Sequence, residues 1–292
     1  MARGFSLVLA TAMLGACSPQ QMVMRQVADE LAVQGQSAED DLDLARDASA
    51  FYLKLSESVL RQNPGHKALA QAVAGGFTQY AYAFVAFEAD QREAKDARAA
   101  QRLRERAARL YRRALGHALA ALEQSHPGFS TALASPDAAL WPRLQPDEVG
   151  LAYWAAAAWG GSISLSKDDP EIVADLPLAR RLARLAWETG PDYGQGSLAS
   201  LMGSFEAARS GGGKEALAYF DRAIALSGGK NAGAYVAKAE GHAQPAGDRA
   251  LFEALLKQAL AVHDEAGSPL TLQNEVMRRR AKWLMETADD LF

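Results

Sequence analysis

Cys17 is the chain's only cysteine and the residue best placed for a covalent reaction. It follows Leu14-Gly15-Ala16 and precedes Ser18, at the end of a segment where Arg3 supplies positive charge and Phe5 to Met13 form a short apolar run. Small residues before a cysteine that closes such a run are the pattern of a bacterial lipoprotein export signal. Diacylglycerol on the Cys17 thiol and an acyl chain on the new amino terminus would give the two hydrophobic signals that stable anchoring requires. The apolar run itself is too short to cross a bilayer, which takes about 20 residues. No disulfide can form without a second cysteine, so an exported chain of this kind is held together by its core. The expected organisation is a signal peptide over residues 1–16, a polar tether with some fraying helix over 17–41 and a folded helical domain over 42–292, on the periplasmic side of a membrane. Ser18, rather than aspartate, after the cysteine points to the outer membrane in a host with the usual proteobacterial sorting.

Other residue types offer little chemistry. The histidines at 66, 117, 126, 242 and 263 have no paired metal-ligand spacing. Gly211-Gly212-Gly213-Lys214 imitates a phosphate loop, but Ala208 stands at its first glycine position and Glu215 at its Ser/Thr position. Asp289 and Asp290, in solvent near the end of the sequence, are poor acid-base candidates. No nucleophile with a base emerges from spacing, so the reading is a non-enzymatic protein without metal or cofactor.

The densest unusual sequence runs from Leu151 to Pro177. Trp154 and Trp159 are five residues apart, so on a helix they point about 140° away from each other and cannot share one stripe. A helix that is apolar nearly all round is either enclosed by neighbours or lines a cavity. Tyr153, Trp154 and Trp159 are therefore candidates for a ligand or partner surface, with a purely structural central helix as the other reading. In Ser166-Lys167-Asp168-Asp169-Pro170, Lys167 suits the end of one helix, Asp169 the cap of the next and Pro170 its first position. Asp168 is left without a structural task, and the Lys167/Asp168 pair joins the candidate site.

These residues must be positioned by helices, since nearly every segment has helical spacing and nothing reads as alternating strands. Helices are expected near 42–62, 66–94, 97–124, 147–165, 177–189, 192–210, 213–227, 232–243, 247–263 and 269–289, broken by Asn63-Pro64-Gly65, His126-Pro127-Gly128, Gly190-Pro191 and Ser227-Gly228-Gly229. Short turns between so many helices imply antiparallel pairs. Ala107/Tyr111/Ala114, Ala179/Ala183/Ala186 and Ala216/Phe220/Ala223 have the spacing of the second helix of a tetratricopeptide (TPR) unit, where small residues let helices approach and the aromatic fills the gap to the next unit. The fold class expected is all-α, with degenerate, cryptic TPR-like helix pairs stacked into a curved α-solenoid. The net charge of −4 argues against a nucleic-acid partner, and the arginines at 102, 104, 106, 109, 112 and 113, interrupted by Glu105, read as a solvated helix face.

Several blocks carry a family resemblance. They are Tyr82 to Asp90 (YAFVAFEAD), His126 to Phe129 (HPGF), Tyr153 to Pro170 (YWAAAAWGGSISLSKDDP), Ala174 to Pro177 (ADLP), Tyr219 to Ser227 (YFDRAIALS) and the ending from Arg280. With the cysteine signal, they make the chain resemble the TatT family, TPR-containing lipoproteins associated with TRAP (tripartite ATP-independent periplasmic) transporters. The resemblance implies a periplasmic helical protein that pairs with the transporter's soluble substrate-binding protein. It also implies a small hydrophobic ligand and a homo-oligomer, a trimer among the options. A scaffold lipoprotein for envelope or outer-membrane assembly, using an open groove for peptides, is the competing reading. A wall hydrolase is a third, and would require a pair of carboxylates in a cleft.

Overall fold

The computed structural model describes residues 19–34 and 39–292, and among them every regular element is helical. Cys17 and the signal segment lie outside the described residues. The helices are α1 (Pro19–Gln34), α2 (Leu42–Gln62), α3 (Lys67–Tyr80), α4 (Phe87–Arg92), α5 (Ala97–Ser125), α6 (Phe129–Ala134), α7 (Val149–Ser164) and α8 (Pro170–Val173). They continue as α9 (Leu176–Thr189), α10 (Ser197–Ala207), α11 (Gly213–Leu226), α12 (Ala232–Lys238), α13 (Arg249–Leu260), α14 (Thr271–Glu286) and α15 (Ala288–Leu291). Side-chain caps start several of them: Asp41 accepts from the amides of Asp43 and Leu44, Asp96 from Ala99, and Asp248 from Leu251.

Long helices pack on their successors in chain order, α3 on α5, α5 on α7, α7 on α9, α10 on α11 and α12 on α13. This is the one-dimensional stacking of an α-solenoid. The three small-residue stripes face inward, with all nine of their residues buried. The aromatic positions explain why. A Cβ on Gly161 of α7 would come within 2.7 Å of the Tyr111 ring, and Cβ atoms on Gly203 and Gly241 would reach Phe220 at 2.6 and 2.5 Å from either side. The glycines thus let neighbouring backbones close down on those rings.

Apart from the short α6, which lies outside the expected helices, and a turn over 191–196 where a helix is expected from 192, the structure departs from the sequence expectations in three places. The helix expected to fray within the tether is α1, and it is packed instead, lying against α2 and α3 with Ala28 and Leu31 buried. The Tyr52 hydroxyl donates to the Leu31 carbonyl, and Asp29 meets His66 at 2.9 Å. The helix expected over 66–94 is interrupted by a π-helical stretch, Ala81–Ala86, and a second one, Ala239–Ala243, follows α12. A π turn adds a residue to the turn and rotates the helix beyond it, a shift to which a 3.6-residue pattern is insensitive. Finally, the stack returns on itself: α14 packs against α2, and Trp283 meets Phe87 edge to face at 5.7 Å between ring centroids.

Candidate functional site

Apolar nearly all round, α7 is enclosed on most sides by α3, α5 and α9. Its two tryptophans take opposite sides, as their spacing requires. Trp159 is buried and its indole N–H donates to Asp175 Oδ2 at 3.1 Å, which makes it a structural pin between α7 and the start of α9. Trp154 is half-buried and fits against Gly75 of α3, where a Cβ would lie 2.8 Å from the indole. Tyr153, also half-buried, crosses Trp154 at 4.7 Å and Tyr193 at 5.1 Å between ring centroids. Burial pushes the Tyr153 hydroxyl's pKa up, with Tyr193 adding to the rise and a hydrogen bond with Ser197 opposing it. Burial raises Tyr193 as well, against a hydrogen bond with Trp154. The three rings form one aromatic cluster between α7 and the turn before α10, uncharged at neutral pH.

Lys167 and Asp168 are not drawn into this cluster. Both are exposed in the turn after α7, and neither makes an ion pair or side-chain hydrogen bond among the described residues. Their neighbours behave as their types dictate. Asp169 accepts from the amides of Glu171 and Ile172, and Pro170 takes the first turn of α8.

A second constellation forms where the two ends of the stack meet. Arg280 of α14 donates to Glu240 at 3.0 and 2.6 Å and to Asp90 at 3.2 Å. Its guanidinium lies 5.6 Å from the centroids of Tyr82 and Phe87 and 5.8 Å from that of Trp283. Tyr82 and Glu240 come from the two π-helical stretches, so the local widening of both helices delivers side chains to one point. Burial disfavours the charged form of Arg280, but Tyr82, Glu240 and Asp90 outweigh it and hold its pKa well above the ordinary value. Burial pushes the Tyr82 hydroxyl up to about 12. Tyr82 also lies 3.7 Å from Met277 Sδ.

Two cavities flank this seam and the far turn. One of about 110 Å³ is bounded by Leu42, Phe84, Phe87, Glu88, Val276 and Arg279, and one of about 310 Å³ by Lys230, His263, Glu265 and the turn to Leu270. Neither is lined by Trp154 or Trp159. No helix among the described residues is long and apolar enough to cross a membrane, and no group of His, Cys, Asp or Glu there is arranged to hold a metal.

Comparison with known proteins then places the chain. The sequence profile of the family described as TRAP transporter T-component matches residues 38–292. The chain belongs to this T-component family. It is also similar to an uncharacterised protein of Treponema pallidum (strain Nichols), 28% identical over 262 residues that cover 87% of this chain and 81% of that relative.

Family membership makes the chain a component associated with a TRAP transporter. Of the residues marked in the sequence, Tyr153 and Trp154 are brought together, Trp159 stands apart on the opposite side of α7, and Lys167 and Asp168 remain in solvent. The Arg280 constellation is a site that sequence reasoning misses. Its one local signal is a cation at i+3 between Met277 and Trp283, on an otherwise apolar stripe, and Asp90 closing the apolar run that begins at Tyr82.

Proposed function

We propose that this T component is a lipid-anchored, non-enzymatic binding protein of the periplasm that holds a small apolar ligand and docks the transporter's soluble substrate-binding protein. The observation that carries the reading is the Tyr153, Trp154 and Tyr193 cluster. It offers ring faces that are only half-buried, hydroxyls that stay neutral, and no fixed charge, which is the chemistry of a site for an apolar molecule. The Leu14 to Ser18 motif supports the anchor at Cys17, and Ser18 supports the outer membrane. The return of α14 onto α2 favours this reading over a peptide scaffold, because an open concave groove is what a scaffold needs.

The test is binding of the apolar fluorophore N-phenylnaphthylamine to the full-length chain, with and without W154A. The expected result is saturable binding that weakens at least about tenfold in W154A, in line with loss of an aromatic anchor. Equal binding by both proteins would remove the ligand reading. In parallel, the mass of the chain purified from membranes is expected to carry acyl groups that C17A lacks.

A further inference from the structure

The longest helix, α5, carries seven arginines against two glutamates and no lysine. Arg98, Arg102, Arg106, Arg109 and Arg113 recur at intervals of four, four, three and four, which confines them to a sector of about 80° on one face. That face points away from the core, since Ala107, Tyr111 and Ala114 occupy the opposite side. All five are exposed. The first four have no ion pair among the described residues, and nor does their neighbour Arg112. Like charges at i,i+4 repel and weaken a helix, so this arrangement is not one that helix stability selects.

The fifth arginine ties the stripe to the body. Arg113 makes two hydrogen bonds to the buried carboxylate of Glu57 on α2, and its guanidinium lies over Phe77. Glu57 is also reached by Lys54 at 2.6 Å and Arg61 at 3.4 Å, both exposed. One carboxylate therefore faces three cations, and the surplus positive charge widens the stripe from α5 onto α2.

We infer that the α5 arginine face is a docking surface for a row of carboxylates on a partner protein. This rests on the docking reading above and names the surface that would perform it. The planar guanidinium suits carboxylates, which it binds in a directional, two-bond geometry, and a row of them on a folded partner can match the fixed spacing of the stripe. A membrane seat fits less well. Among the described residues none of the exposed large apolar side chains lies on α5, so nothing there would insert between lipids. From Arg98 to Arg113 the row spans about 22 Å, the width of a protein-protein contact.

The experiment measures binding of the full-length chain to the TRAP substrate-binding protein of the same organism, at low and raised sodium chloride. A parallel arm measures co-sedimentation with vesicles of phosphatidylglycerol and phosphatidylethanolamine. The expected result is a dissociation constant that rises at least about tenfold with salt and at least about tenfold in R102E/R106E/R109E, with the milder R102Q/R106Q/R109Q intermediate. Unchanged circular dichroism melting in both variants establishes that the fold is intact. If the chain binds but the variants bind equally well, docking stands and this surface is wrong. If the wild-type chain does not bind at all, the docking reading fails and the surface falls with it. If the variants lose vesicle binding and keep the protein partner, the stripe is a membrane surface and the inference is overturned.

Discussion

Replacing Arg280 by methionine tests how the two ends of the stack are joined. Methionine keeps much of the side chain's length and apolar stem but removes the cation from between Glu240 and Asp90. Three hydrogen bonds are lost, at 3.0, 2.6 and 3.2 Å, along with contacts to three aromatic rings. Glu240 is then left without its cation in a partly enclosed space, and Asp90 keeps only Arg104, at 3.9 Å. Breaking a buried pair in this way costs about 3–5 kcal/mol, and since the acids retain some solvent, about 3 kcal/mol is the working figure. With an unfolding entropy of about 2 cal/mol/K per residue, that lowers the calorimetric midpoint of a chain of this size by about 5 °C. R280K, which keeps the charge but not the planar fork, is expected to fall between. The double variant R280M/E240Q is expected to recover most of the loss, because it removes the stranded Glu240 charge along with its partner, while Asp90 keeps Arg104. Hydrogen exchange is expected to accelerate in R280M over residues 82–90 and 276–285 ahead of the rest of the chain. A midpoint within about 2 °C of wild type, or exchange rising uniformly, would refute the view of Arg280 as the closing contact.

Three other outcomes are set by individual contacts. Burial would raise the Glu57 carboxyl, but hydrogen bonds from Arg113, Lys54 and His117 outweigh it and hold its pKa well below the usual 4.5. Its stabilising effect is therefore complete above that value and declines as pH falls further. E57Q is expected to cost about 2–3 kcal/mol near neutrality in urea titrations, with the gap to wild type narrowing below about pH 4.5. In G203A the new methyl group would lie 2.6 Å from a Phe220 ring that Gly241 confines from the other side, so overpacking of about 1–3 kcal/mol is expected, relieved in G203A/F220L. Asn274 is buried, donates to Asp264 at 2.6 Å and to the Lys230 carbonyl at 3.0 Å, and accepts from the Ala232 amide. N274L leaves the Lys230 carbonyl and the Ala232 amide without this partner and Asp264 with Arg278 alone, and a loss of about 2–3 kcal/mol by thermal unfolding is the expected result.

Much of the architecture is legible without coordinates. Asp41, Asp96 and Asn231 stand where helices begin, and the breaks at Asn63-Pro64-Gly65 and His126-Pro127-Gly128 fall where helices end. The alanine stripes of α5, α9 and α11 face inward as their spacing requires. These features are local, because a cap or a helical stripe is settled by residues within a few positions of one another. The five-residue interval between Trp154 and Trp159 likewise places them on different sides of α7, although it cannot say that Asp175 engages one of them. The helix expected to fray within the tether is instead packed, because α1 owes its place to Ala28 and Leu31 meeting α2 and α3, a contact that its own weak periodicity does not announce.

The sequence alone determined the helical class, the order of the units, the stripes that join them and the family. Only the tertiary structure decided that the stack returns on itself and that Tyr82, Asp90, Glu240 and Arg280 meet. Helix formation obeys a short period written in each segment. Closure depends on the small rotation between successive units, summed over the whole stack and altered by two π-helical turns, and no local pattern carries that sum.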